Sequence, residues 1–174
     1  MPVERTAFVQ ERYRDTAEYR QVNEIADRLL DHLNSSEVQA LIGVANRPGE
    51  SSRGVQLAFL PFAAELGFRD ESKGLFLAYE SAVRPDYYIP LGETGILLEV
   101  ERGKTVRNNM DFLDFWKCHI CEKAHYLFLL VPRSLQHNPG MRPVNEYAQV
   151  CRRLRTFFTP RNYTNVRGLF VFGY

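Results

Sequence analysis

The part of the sequence that most constrains the fold is residues 84–104, RPDYYIPLGETGILLEVERGK. Two short runs rich in aromatic and aliphatic residues, PDYYIP and GILLEVE, are bounded there by Gly, Pro and charged residues, which is typical of β-strands. Because only residues 91–94 separate the runs, the spacing predicts a hairpin of two antiparallel strands. In this hairpin Pro90 pairs with Gly95.

The predicted hairpin brings three carboxylates together. Its register places Asp86 directly across from Glu99. Directly opposed residues share a face of the sheet, with Cβ atoms roughly 4.5–5.5 Å apart. Since successive side chains of a strand alternate between the two faces, Glu101 lies on the same face as Glu99.

The rest of the chain predicts an α/β fold, in which helices flank a mixed central sheet. Further strand-like segments are residues 74–79, 125–131 and 168–174. Apolar residues recur at helical spacing in residues 16–33, 36–46, 55–66, 109–123 and 144–158. The order is helices first, then strand–strand–strand–helix–strand–helix–strand. We expect residues 1–174 to form one domain, in which residues 1–46 are an N-terminal helical extension and residues 52–174 are the core.

Composition limits the class of protein. The chain has 174 residues, of which 45% are hydrophobic and 25% charged, as expected for a single globular domain. The formal net charge is +1, which excludes a binder held to nucleic acid by bulk positive charge. No apolar run approaches the ~18 residues that span a bilayer, so we expect no membrane association. The N-terminus lacks an apolar core segment and the three cysteines are an odd number, both of which predict a cytoplasmic location.

Like charges facing one another in a sheet need a compensating charge. A divalent cation is one such group, and Mg²⁺ takes one or two protein carboxylates and completes its shell with water and phosphate oxygens. The alternative is that Glu99 and Glu101 form the solvent side of an edge strand and pair with Arg102 or Lys104. The strand pattern alone leaves both interpretations open.

The pattern P-D at 85–86 and E-V-E at 99–101, in this order of elements, resembles the PD-(D/E)xK nuclease superfamily of restriction endonucleases and related enzymes. The resemblance covers residues 52–131 and, more loosely, those that follow. It implies a restriction-endonuclease-like fold and a Mg²⁺-dependent DNA endonuclease, with Mn²⁺ as a substitute ion, that hydrolyses phosphodiester bonds by a metal-activated water. It also implies that Asp86 and Glu99 bind the metal.

One position departs from the family pattern. The third position of the second motif, which is usually Lys, is Glu101 here. An acid there implies a second metal ligand or a general base. Lys104 is the nearest lysine, and we expect it to stabilise charge at the scissile phosphate. Family members often add a carboxylate from the preceding helix, for which Glu65 is the first candidate and Glu80 the alternative.

Positive charge is expected next to these acids. Where the strand ends and the next helix begins, a polar cluster is predicted to contact DNA phosphates: Arg102, Arg107, Asn108 and Asn109. A helix N-terminus also offers free backbone N–H groups to a phosphate. DNA is therefore the expected partner, and cutting both strands of a duplex predicts a homodimer. Two alternatives stay open: a catalytically inactive nucleic-acid-binding or protein-interaction module on the same fold, and an α/β domain without a nucleic-acid role.

Overall fold

The protein is built on a six-stranded mixed sheet. The computed structural model describes residues 2–47, 49–70, 74–76, 79, 83–103, 105–136, 140 and 142–174. The strands are β1 (Glu4–Val9), β2 (Arg69–Asp70), β3 (Tyr87–Leu91), β4 (Thr94–Val100), β5 (Tyr126–Val131) and β6 (Gly168–Gly173). Their order across the sheet is β1-β6-β5-β4-β3-β2. The central strands β4, β5 and β6 are parallel, and β1, β3 and β2 each pair antiparallel with their neighbour.

Helices cover both faces of the sheet. They are α1 (Ala17–Leu33), α2 (Ser36–Ala45), α3 (Ser52–Glu65), α4 (Met110–Ile120) and α5 (Glu146–Leu154). The hydroxyl oxygens of Thr16 and Ser35 accept hydrogen bonds from backbone N–H groups in the first turns of α1 and α2, which satisfies donors that have no partner within the helix. Helix α3 continues through Pro61 and is followed by Gly67, whose φ of +95° suits a residue without a Cβ atom.

The alternation of side chains along β4 divides the core into two apolar layers. Ile96, Leu98 and Val100 pack in the layer that contains the buried faces of α1, α2 and α3. Leu97 packs on the opposite face, together with buried residues of α4 and α5. Glu99 has the same parity as Leu97 and therefore points toward α4.

The α/β fold with a mixed sheet flanked by helices is confirmed, with two differences at the edges of the sheet. The segment 1–46 is not purely helical, because it supplies the edge strand β1, which pairs with β6. Two of the six residues of β1 are exposed and the other four are only half-buried, so its apolar pattern is weak. Residues 74–76, predicted to begin a strand, form a bend and turn, and the adjacent short strand is β2. Of the helices in the described ranges, none has the length and apolar character needed to cross a bilayer.

Gly95 is required by the close approach of the chain around the hairpin. A Cβ atom there would meet the Tyr88 ring and would lie 2.6 Å from the carbonyl oxygen of Ile89 and 2.9 Å from that of Lys123. Because backbone atoms cannot easily move aside, we expect Gly95→Ala to lower the free energy of unfolding by about 1–3 kcal/mol. Urea denaturation measures this change.

Gly43 provides the matched control. It lies in α2, and a Cβ atom there would meet nothing within 4 Å. We expect Gly43→Ala to raise the free energy of unfolding by about 0.5–1 kcal/mol, because alanine has the higher helix propensity. Equal effects of the two substitutions would contradict the packing described around Gly95.

Candidate active site

The hairpin has the predicted register. Pro90 of β3 pairs with Gly95 of β4, and the connection consists of Gly92 and Glu93. Gly92 has a φ of +61°, a conformation that glycine adopts without steric cost. Extending this register by one pair beyond Tyr87 places Asp86 opposite Glu99.

Two hydrogen bonds hold the carboxylates of Asp86 and Glu99 side by side. The backbone N–H of Asp86 donates to Oε2 of Glu99 at 3.1 Å. In return, the backbone N–H of Val100 donates to Oδ2 of Asp86 at 2.8 Å. Glu99 is only 2% exposed, whereas Asp86 is half-buried and reaches the surface.

A lysine from α4 meets this pair of acids. Nζ of Lys117 lies 2.9 Å from Oε1 of Glu99 and 2.9 Å from Oδ1 of Asp114. Asp114 and Lys117 are three residues apart on α4, so they lie on the same face of the helix. Lys117 is 8% exposed and Asp114 is fully buried. Neither residue was among the predicted site residues.

Glu101 adds a further carboxyl group at the end of β4. Its backbone N–H donates to the carbonyl oxygen of Leu130 at 2.9 Å, which keeps it in register with the sheet, and its side chain is half-buried. Burial, together with the nearby charge of Asp114, raises the pKa of Glu101 to about 8. Glu101 thus joins Asp86, Glu99 and Asp114 in a cluster of four carboxyl groups, of which Glu99 and Asp114 contact the amine of Lys117.

Burial also raises the pKa values of Glu99 and Asp114 above their usual range. The charge of Lys117 lowers both pKa values, but by less than burial raises them. For Lys117 itself, burial would lower the pKa. The charges of Glu99 and Asp114 outweigh burial, so the pKa of Lys117 rises and the amine stays protonated. Lys117 is thus a permanent cation in this cluster.

The interpretation of Glu99 as the solvent-facing residue of an edge strand is wrong. Strand β4 lies between β3 and β5, and Glu99 is buried against Lys117. Arg102 does not pair with it. Its guanidinium donates instead to the backbone carbonyls of Arg47 and Glu50 and so ties the loop before α3 to the end of β4.

The other predicted site residues are dispersed. Lys104 and Glu80 lie outside the described residues. Glu65 is exposed at the C-terminal end of α3, where its charge acts on His32 of α1 rather than on the carboxylate cluster. It therefore does not supply the additional acid.

The predicted phosphate-binding residues after β4 divide into two groups. Arg107 and Asn108 are exposed. Asn109 adopts a left-handed conformation with a φ of 55° at the start of α4, and its Oδ1 accepts a hydrogen bond from Arg153 of α5 at 2.6 Å. Arg102 and Asn109 thus have structural partners, whereas Arg107 and Asn108 face solvent.

A cleft beside Asp86 contains basic residues that were not predicted. It has a volume of about 300 Å³, and its walls include Arg53 and Gln56 from the first half of α3 and Arg84 just before Asp86. Asp70 of β2 is the other acid that lines it. The guanidinium groups of Arg53 and Arg84 therefore lie beside the solvent-accessible side of Asp86.

The chemistry of the carboxylate cluster fits a hard divalent cation. Its groups offer oxygen atoms alone, which Mg²⁺ prefers, and the negative charge exceeds that of Lys117. Asp114 is buried, and its carboxyl group lies against that of Glu101. Within those same ranges, no three His, Cys, Asp or Glu side chains are arranged around one point as a metal site requires. Asp86, Glu99 and Glu101 would therefore have to turn toward a common ion.

Comparison with known proteins gives a likeness of structure but no match of sequence. No family model and no curated protein matches the sequence. Among solved structures, the fold is similar to that of restriction endonuclease BglII complexed with a DNA 16-mer. The sequence identity is 11%, the TM-score is 0.49, and the match covers 99% of this chain and 78% of that chain. A likeness of this degree says nothing about the chemistry of the residues described above.

Lys117 is expected to be essential for burying the acids. Replacing it in Lys117→Met leaves Glu99 and Asp114 buried without their cation, which we expect to lower the free energy of unfolding by about 3–5 kcal/mol at pH 8. The double variant Lys117→Met/Glu99→Gln removes both charges. We expect its free energy of unfolding to fall by less than the sum of the decreases in the two single variants. Urea denaturation of all four proteins of the cycle measures the coupling.

An exposed ion pair serves as the control for this cycle. Arg14 lies 3.2 Å from Glu11, and both side chains are largely in solvent. We expect Arg14→Met to change the free energy of unfolding by less than about 1 kcal/mol. A comparably small change for Lys117→Met would show that the buried contact is not formed.

The raised pKa of Glu101 predicts a pH dependence of stability. Between its usual value of 4.5 and about 8, the folded protein retains a proton that the unfolded chain has lost. Stability must therefore fall as the pH rises through this range. Glu101→Gln removes this loss. The free energy of unfolding of the variant minus that of the wild type should therefore increase by at least about 1 kcal/mol between pH 5 and pH 8.5. Urea denaturation in buffers containing EDTA measures it, and the exposed Glu93→Gln is the control. Parallel pH profiles for Glu101→Gln and the wild type would contradict the prediction.

Proposed function

We propose that the protein is a Mg²⁺-dependent DNA endonuclease that hydrolyses phosphodiester bonds. The proposal rests on one observation: Asp86 and Glu99 lie side by side across the hairpin, and Nζ of Lys117 lies 2.9 Å from Glu99. Two acids and a lysine in this arrangement are the groups that the resemblance to the nuclease superfamily leads one to expect. The lysine comes from α4 rather than from position 101.

In this proposal the carboxylates of Asp86, Glu99 and Glu101 hold the ion. When bound, Mg²⁺ supplies Lewis-acid stabilisation of the charge that develops on the phosphate oxygens. Lys117 is protonated and therefore does not accept a proton from water. Its role is to hold Glu99 in place and to add positive charge near the scissile phosphate. Glu101 lies half-buried at the end of β4, and in its deprotonated form, which prevails above its pKa of about 8, it accepts the proton of the attacking water.

Arg53 and Arg84 support DNA as the substrate. Both line the cleft next to Asp86, so a phosphodiester backbone crossing this cleft would have guanidinium groups on its path. This local charge is compatible with the formal net charge of +1 of the whole chain. Since one site cuts one strand, we further propose that a homodimer cuts a duplex.

One observation favours a second candidate function. Lys117 already compensates Glu99, and the described carboxylates do not surround a common point. A nucleic-acid-binding module without catalysis would keep this ion pair permanently. The two candidates differ in whether the cluster binds a divalent cation.

Cleavage of supercoiled plasmid in Mg²⁺ or Mn²⁺ tests the proposal. We expect nicking by the wild-type protein and a loss of roughly a hundredfold or more in Asp86→Asn, Glu99→Gln and Lys117→Met, because each removes a charge from the site. Glu65→Gln is the matched control, since Glu65 is an exposed acid outside the cluster, and its activity should equal that of the wild type.

A metal titration followed by thermal unfolding provides a readout besides activity. Mg²⁺ should raise the melting temperature of the wild type and of Glu65→Gln but not that of Asp86→Asn. A folded wild-type protein that neither responds to Mg²⁺ or Mn²⁺ nor nicks plasmid would contradict the nuclease proposal. DNA binding without either effect would support the binding module.

A further inference from the structure

Two aromatic side chains are exposed on the surface beside the C-terminal half of α4. Tyr163 is 96% exposed and Trp116 is 58% exposed. Both line a hollow of about 220 Å³ whose other walls include Phe157 and His119. The Trp116 ring packs edge-on against His119 but leaves more than half of its surface in water. A surface that gathers exposed aromatic rings is a candidate binding site.

The backbone that carries Tyr163 is held firmly. The backbone N–H of Asn165 donates to Nδ1 of His119 at 3.1 Å, and the side-chain amide of Asn165 donates to the carbonyl oxygen of His119 at 2.9 Å. From the other side, the amide of Gln10 donates to the carbonyl oxygen of Thr164 at 2.9 Å. The ring of Tyr163 is therefore presented to solvent from an ordered segment, which lowers the entropy cost of binding.

His119 offers a hydrogen-bond donor at the same place. Because its Nδ1 accepts from the backbone N–H of Asn165, the ring proton of the neutral side chain must be on Nε2. Within the described part of the chain, Nε2 has no partner. His119 lines both the aromatic hollow and a neighbouring polar hollow of about 290 Å³.

Positive charge continues from the polar hollow. Arg12 lines it, and a third hollow beyond is lined by Arg12, Arg14 and Arg161. Glu11 is the acid in this region and pairs with Arg14. Arg12 donates from Nε to Oε1 of Gln10 at 3.2 Å and lies over the ring of Tyr13. Among the described residues, neither Arg12 nor Arg161 forms an ion pair, so their positive charges are not neutralised by a carboxylate. We call the three connected hollows the aromatic groove.

We propose that the aromatic groove binds single-stranded nucleic acid. Unpaired bases would stack on Tyr163 and Trp116, and the phosphates between them would contact Arg12 and Arg161. A duplex keeps its bases stacked on one another and cannot present their faces to these rings. An acidic peptide would satisfy the arginines but would leave the aromatic faces without a planar partner.

The aromatic groove lies apart from the carboxylate cluster. Arg12 follows the C-terminal end of β1 and Tyr163 precedes the N-terminal end of β6, and these two strand ends lie at one end of the sheet because the strands are antiparallel. Trp116 and His119 come from α4, which also carries Asp114 and Lys117, but Trp116 is exposed whereas Asp114 and Lys117 are buried. Glu99 lies toward the other end, near the C-terminus of β4, which runs in the same direction as β5 and β6. Binding in the groove therefore does not depend on whether the chain cleaves DNA.

Trp116 is the chain's only tryptophan, so its fluorescence reports on the groove directly. We expect an oligothymidylate of about 12 nucleotides to quench this fluorescence saturably in EDTA, where no cleavage occurs. Anisotropy of the labelled oligonucleotide should show roughly tenfold weaker binding for Tyr163→Ala and for Trp116→Ala. In Arg12→Gln the slope of log affinity against log salt should become shallower by about one.

Leu113→Ala is the matched control, because Leu113 is also exposed on α4 but does not line the groove, and its binding should equal that of the wild type. Unchanged Trp116 fluorescence on addition of the oligonucleotide would overturn the proposal. So would unchanged affinity in both Tyr163→Ala and Trp116→Ala. If a duplex bound as tightly as the single-stranded oligonucleotide, or if polyglutamate competed as strongly as unlabelled oligonucleotide, the contact would instead be purely electrostatic.

Discussion

The rest of the structure depends on the burial of Lys117 between Glu99 and Asp114. A carboxylate in the middle of a sheet, covered by a helix, cannot remain charged without a partner, and water does not reach Glu99. Lys117 supplies the partner from α4 and so fastens this helix to β4. Desolvating these charges is costly, and the short hydrogen bonds among them offset that cost. The same contact that packs α4 on the sheet therefore also fixes the carboxylates, so the candidate site and the fold cannot be separated.

The hairpin could be predicted from the sequence because every determinant of it is local. Glycine at position 92 suits the turn, the flanking runs have the period of a strand, and the two together set the pairing of Pro90 with Gly95. Once this register is set, the position of Asp86 relative to Glu99 follows from the geometry of an antiparallel pair. The two-residue connection leaves no freedom for a different alignment.

Lys117 could not be placed in the same way, because its contact with Glu99 depends on how α4 crosses the sheet. One signal was present in the sequence: Asp111, Asp114 and Lys117 recur at intervals of three along a face that also carries Phe115 and Cys118, all of them buried. Charged residues on an apolar helix face indicate a buried ion pair or a functional site. The edge strands β1 and β2 were not predicted from the sequence, for a different reason. Strand β1 is half-exposed and β2 has two residues, so neither has a strong apolar pattern.

The pairing of β1 with β6 has a consequence for how the chain is made. Glu4 pairs with Gly173, so the first strand of the sheet and its partner are separated by nearly the whole sequence. During synthesis the backbone hydrogen-bonding groups of β1 face water or other chains until β6 has left the ribosome. Contacts between residues so distant in sequence form slowly, because a long loop must close before they stabilise anything. Completion of this sheet is therefore a late event in folding, and α1 gains the β6 surface against which it packs only then.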